Sequence, residues 1–143
     1  MTPIPPDVAA AIVAAGHSLS ADVYTGPSVL RQSAWWWKYN DGRIERSAPK
    51  WSVTIDDERR SEDGGMCGHG AGPTPREAVL KALQQLIARS EERAATWSAK
   101  GSRARIDERK ASCAAEARGW LAKAADVRAL AAQVAAMWPE VTP

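Results

Sequence analysis

From Ile106 to Val134 a core-type residue returns at every seventh position, as Ile106, Cys113, Trp120, Val127 and Val134, and Ala117, Ala124, Ala131 and Trp138 follow successive members by four. A three-four repeat held over this length keeps one stripe of a helix facing a partner helix. The partner is the segment before it. Thr74-Pro75-Arg76-Glu77 is a capping box, with Thr74 as N-cap, Pro75 in the first helical position and Glu77 reaching back from the third. The helix it opens carries Val79, Leu83, Leu86 and Ile87 and runs to about Trp97, before Gly101 breaks it. The second helix starts near Ser102 and continues to Trp138, where Pro139 stops it. Small alanines on the seam let the two helices approach closely as an antiparallel hairpin.

Length arithmetic adds a constraint, because a second helix of roughly 36 residues spans about 54 Å whereas a first helix of about 24 residues spans about 36 Å. The excess needs cover. Either the long helix bends at Gly119, or Trp120, Val127, Val134 and Trp138 form a seam with a second subunit, and a homodimer is expected.

The N-terminal half reads differently. Prolines at 3, 5 and 6 precede a short helix from Asp7 that ends at Gly16, with Val8, Ile12 and Val13 as its apolar stripe. Residues 17–32 read as an irregular connection. Ala34-Trp35-Trp36-Trp37-Lys38-Tyr39 then leads through Asn40-Asp41-Gly42 into Arg43-Ile44-Glu45-Arg46, a hairpin signature. Trp51, Val53 and Ile55 alternate on one face of a further strand, and Met66 to Gly70 has room for a last one. The expected fold is a single α+β domain over 1–143. An N-terminal helix and connection occupy 1–32, a small antiparallel three-stranded sheet 33–72, and a long antiparallel helical hairpin 73–143.

With 45% hydrophobic residues, 25% charged residues and a net charge of +2, the chain has the profile of a folded domain and is neither strongly basic nor acidic. Two cysteines, no signal-peptide pattern and no apolar run near the roughly 20 residues of a membrane span lead us to expect a cytoplasmic setting without membrane contact. Enzyme signatures are poor. Cys67 and His69 have a Cys-x-His spacing, but structural zinc takes four ligands and catalytic zinc usually three. As nucleophile and base, the pair shares a strand face, yet nothing in the sequence supplies a third group to orient the imidazole. Cys113 lies on the helical seam as a small core residue. No catalytic residue, metal or cofactor is expected.

Three surfaces have residues suited to binding. Gly64, Gly65, Gly68, Gly70 and Gly72 run into the helix start at Thr74, and a side-chain-poor backbone at a helix N-terminus suits a phosphate or carboxylate, with His69 and Arg76 assisting. The plainer alternative is a loop and a cap. Arg93, Lys100, Arg103, Arg105, Arg109 and Lys110 gather around the interhelical turn, interleaved with Glu91, Glu92, Asp107 and Glu108 as on an ordinary solvated tip. Among the clustered tryptophans, Trp36 points opposite to Trp35 and Trp37 and, with Tyr39, makes either an aromatic platform for a ligand or partner or a surface covered by the first helix.

Trp51-x-Val53-x-Ile55 followed by Gly68-x-Gly70-x-Gly72-x-Thr74-Pro75-x-Glu77-Ala78-Val79 resembles the small phage proteins of the ABA-sandwich type, over residues 51–88. That resemblance implies a phage or prophage accessory protein. The function expected from it is anti-CRISPR-like, non-enzymatic inhibition of a host defence protein or effector complex by stoichiometric binding. Some relatives of that family sequester a nucleotide signal, which is the alternative ligand. The order of elements is also similar in topology to double-stranded RNA-binding domains, whose second helix opens with lysines that grip phosphates; here Arg76 and Lys81 are the basic residues at that helix start.

Overall fold

Helix α1 (Pro6–Ala14) begins where its composition allows it to, with a proline at the first position and Asp7 in the first turn. Gly16, at φ 89°, turns the chain out of it. The computed structural model describes residues 4–24, 50–57 and 66–140. Val8 and Ile12 are buried, whereas Val13, one residue on and so rotated about 100° off the stripe, is exposed.

The segment read as an irregular connection contains a strand. Strand β1 (His17–Tyr24) pairs antiparallel with β2 (Lys50–Asp57), which pairs antiparallel with β3 (Met66–Gly72), in the order β1-β2-β3. The architecture is α+β, as expected, but its first strand comes from this segment. Residues 34–46, including Trp36 and Tyr39, lie outside the described residues.

Side chains alternate across the sheet with a period of two. Val53 and Ile55 are fully buried toward the helices, and Trp51 packs against the same core. Ser18, Ser20, Thr54, Asp56, Cys67 and His69 share the opposite face by their register, Ser18 opposite Asp56, Ser20 opposite Thr54 and Thr54 opposite His69. On β3 the buried positions are Met66, Gly68, Gly70 and Gly72.

Helix α2 (Pro75–Arg103) lies over β3 and β2, with Thr74 Oγ1 accepting the Glu77 N–H at 3.2 Å as the capping box requires. The cap at Thr74 contributes about 1 kcal/mol, so Thr74→Ala should lower the urea midpoint by a corresponding amount without changing the slope. Ala78, Val79, Ala82, Leu83, Leu86 and Ile87 face the sheet. Two further α2 side chains cap the outer edge of β3, because Gln85 Oε1 accepts the His69 N–H at 2.6 Å and Arg89 Nη1 donates to the Cys67 carbonyl at 2.7 Å. Edge strands left bare are templates for aggregation, and here the helix fills that need.

Gly101 does not end α2. The helix passes through it to Arg103, the turn is Ala104-Arg105-Ile106, and helix α3 runs from Asp107 to Met137 without a break at Gly119. Two helices of 29 and 31 residues are equal in reach, at about 44 and 46 Å, so the excess length deduced above is absent. Gly101 has another purpose: a Cβ there would stand 3.2 Å from the Cβ of Cys113, where the two helices come closest to their turn.

From Cys113 onward the seven-residue seam is real and faces inward, whereas Ile106, its first member by sequence, precedes the helix and is exposed. Cys113, Ala117, Trp120, Ala124, Val127, Leu130 and Val134 are the buried residues of α3, which packs along α2 and reaches α1. Trp120, Val127 and Val134, assigned above to a dimer seam, are therefore spent on the core of their own chain, while Trp138 is half-buried beyond the helix end. Glu91 of α2 and Arg128 of α3 form an ion pair across the hairpin.

The Trp120 ring is flanked by two cations, Arg93 from α2 at 4.9 Å and Lys123 at 5.2 Å from its centroid. Burial lowers the Lys123 pKa from its ordinary 10.5, because desolvation penalises the ammonium. Between that lowered value and 10.5 the unfolded chain holds the extra proton, so stability rises with pH across the window. Lys123→Met should flatten that rise, as thermal denaturation followed from neutral to alkaline pH would show.

Candidate functional site

The glycine run does not form a phosphate-cradling loop. Gly68, Gly70 and Gly72 are strand residues whose missing side chains make room for α2: a Cβ on Gly68 would lie 2.1 Å from the Ala82 carbonyl oxygen, and one on Gly70 would lie 2.0 Å from that of Ala78. Thr74 is engaged as the N-cap. The Arg76 Nε donates to the Trp138 carbonyl at 2.5 Å, tying the start of α2 to the end of α3, and Lys81 is paired with Glu77 at 3.0 Å. Thr74, Arg76, Lys81 and Trp138 do line one cleft of about 550 Å³, but His69, placed with them by sequence, is on the other side of β3.

His69 stands instead on the outer face of the sheet. Its Nε2 is 3.2 Å from Cys67 Sγ and its Nδ1 is 3.0 Å from Thr54 Oγ1. Thr54 is the orienting group that the sequence did not offer, because it is fifteen residues away and arrives only through the β2–β3 register. Among the described residues no group of three or more His, Cys, Asp or Glu is placed to hold a metal ion.

The basic residues sort into separate places. Lys100, Arg103, Arg105 and Arg109 line a cleft of about 540 Å³ at the tip of the hairpin, together with Trp97, Ala104, Ile106 and Cys113. Arg93 is not there; it lies over Trp120 and lines another cleft with Arg89. Lys110 is exposed on α3 outside the lining. Within the tip, Lys100 sits 4.6 Å over the Trp97 ring, and Ile106 is 64% exposed.

The helix dipole accounts for only half of these charges. Lys100 and Arg103 occupy the last turn of α2, where the carbonyl end favours cations. Arg105 is in the turn, and Arg109 is in the opening turn of α3, whose positive end disfavours it and is served by Asp107 and Glu108. Among the described residues no carboxylate forms an ion pair with any of the four. Sequence reading found the cations but missed Trp97 and Ile106, whose place in the cleft depends on the turn falling at 104–106.

Comparisons with protein-family models, with curated proteins and with solved structures return no match. Among the described residues no helix is long and apolar enough to cross a membrane.

Proposed function

We propose that the protein is a non-enzymatic binding protein whose hairpin tip attaches stoichiometrically to an acidic surface of a protein partner. The observation that carries this is the cleft itself, an exposed Ile106 and the Trp97 indole inside a rim of Lys100, Arg103, Arg105 and Arg109 without carboxylate partners among the described residues. An apolar centre with a charged rim is the anatomy of protein interfaces, and Trp and Arg are their commonest anchors. Host defence proteins are the partner class proposed; its support is the phage-type resemblance of residues 51–88, to which the tip adds a requirement for negative charge.

The test compares the wild type with the double reversal Arg105→Glu/Arg109→Glu in a pull-down from bacterial lysate, read by native mass spectrometry. Each reversed charge at a desolvated contact costs about 2 kcal/mol or more, so the pair should weaken capture by about 700-fold or more while leaving Tm unchanged. An identical eluate from both proteins rejects the tip as the binding surface.

A nucleotide is the second reading, and the cleft between Trp138, Arg76 and Lys81 supports it better than the glycine strand does. A nucleotide at a hundred times its Kd would add about 2.7 kcal/mol of stability, and a flat Tm across nucleotides rejects it. The double-stranded RNA reading has less support, since a duplex needs many phosphates neutralised and that helix start offers the Arg76 guanidinium beside a Lys81 already paired with Glu77.

A further inference from the structure

The outer face of the sheet holds a reactive arrangement that partner binding leaves unused. Cys67 and His69 are two apart on β3, so their side chains leave the same face, and Cys67 Sγ meets His69 Nε2 at 3.2 Å. Thr54, directly opposite His69 in the ladder, takes the other ring nitrogen at 3.0 Å. With Nδ1–H donating to the Thr54 hydroxyl, the Nε2 lone pair is aimed at the thiol proton. Arg89 reaches round the edge of β3 from α2; the same Nη1 that donates to the Cys67 carbonyl at 2.7 Å stands 3.8 Å from Sγ. Nucleophile, base and orienter, with a cation beside the sulfur, are the parts that activate a thiol.

Arg89 also borders a cleft of about 310 Å³ with Arg93, Glu92 and Met66, the chain neighbour of Cys67. Cys67 does not line that cleft, so the cation a reagent's carboxylate meets at the thiol is Arg89, 3.8 Å from Sγ, set against Asp56 opposite Cys67 in the ladder. Cys67 is half-buried and within reach of a small reagent, while Cys113, which borders the tip cleft, is only 4% exposed.

We propose that Cys67 is a thiol-disulfide exchange site for low-molecular-weight disulfides bearing carboxylates, with His69 as its base and Arg89 as the cation that attracts the reagent. The Cys67 proton passes to His69 Nε2 as Sγ attacks one sulfur of the disulfide. A Cys67 sulfur-sulfur bond forms, the reagent's own sulfur-sulfur bond breaks, and the electron pair leaves on the departing thiolate, which recovers the proton from the imidazolium. Cys67 is oxidised and half of the disulfide is reduced, so no other oxidant is required.

Dithiobis(nitrobenzoate), a disulfide with two carboxylates, is the probe. At pH 7 the folded protein should react at one thiol, mapped to Cys67 by peptide mass spectrometry, at least about tenfold faster than the urea-unfolded chain. His69→Gln, which replaces an exposed side chain and keeps a polar group there, should remove most of that advantage without changing Tm. Thr54→Val should slow the reaction by a smaller factor, and Arg89→Gln should slow this probe more than uncharged dithiodipyridine. A folded rate equal to the unfolded one, an unchanged rate in both His69→Gln and Thr54→Val, or an adduct on Cys113 would overturn the proposal.

Discussion

Replacing Gly70 with alanine should lower stability by about 3 kcal/mol, a fall in Tm of about 10 °C for a chain of this length. The new methyl carbon would lie 2.0 Å from the Ala78 carbonyl oxygen and 2.5 Å from the Ala82 amide nitrogen, and both are backbone atoms of a helix, which cannot swing aside as a side-chain tip can. Helix α2 would have to lift off β3. That movement opens the core around Leu83 and Leu86, both fully buried. The left-handed backbone conformation is confined to Gly16 among the described glycines, so Gly70 is required for space and not for its φ. Ala71→Val, on the outward side of the same strand, should change Tm little. The contrast decides between two uses of the glycines: a phosphate loop predicts that Gly70→Ala leaves the fold intact and harms a ligand site, whereas helix packing predicts the reverse. Thermal denaturation by circular dichroism of the two variants separates them.

Trp120→Ala should cost about 4 kcal/mol, within the range for removing a large aromatic from a core. The ring is 2% exposed, is held between α2 and α3, and has Arg93 and Lys123 over its faces. Trp120→Phe, which keeps most of the volume, should cost less than half as much. Urea denaturation measures both. Had the ring served a second subunit, its loss would change the mass in solution and spare the monomer's stability; the burial predicts a loss of stability at any protein concentration.

Much of the helical half was legible, because its signals are local. The Thr74 cap, the apolar spacing of α2 and the seven-residue seam of α3 each depend on neighbours within a few turns. The hairpin turn was misplaced at Gly101 since glycine in a helix costs about 1 kcal/mol and reads as a stop. What offsets that cost is the close approach of Cys113, twelve residues on, which is not visible from local pattern. Strand β1 was missed for a related reason. His17, Leu19 and Ala21 do alternate with Ser18 and Ser20, but histidine and alanine are weak apolar markers, and only pairing with Ala21 opposite Val53 and Leu19 opposite Ile55 gives the pattern weight.

The sites show the same division. Lys100, Arg103, Arg105 and Arg109 were found together because a turn brings them together, whereas Arg93 was grouped with them by proximity in sequence and faces Trp120 instead. Gly68, Gly70 and Gly72 were misread since a glycine run before a helix looks the same whether its backbone meets an anion or an alanine-lined helix. Thr54 beside His69, and Gln85 and Arg89 on the edge of β3, are contacts between elements and had no sequence signal at all.

The binding surface itself can be located by a photo-crosslinking side chain placed singly at Ile106 in the hairpin tip, at Gln84 in the cleft near Trp138 and at Ala132 on the exposed side of α3, each illuminated in lysate. The account predicts a protein adduct of defined mass from position 106, lost when Arg105 and Arg109 are reversed in charge, and none from 84 or 132. An adduct from 84 or 132 with nothing from 106 would contradict it.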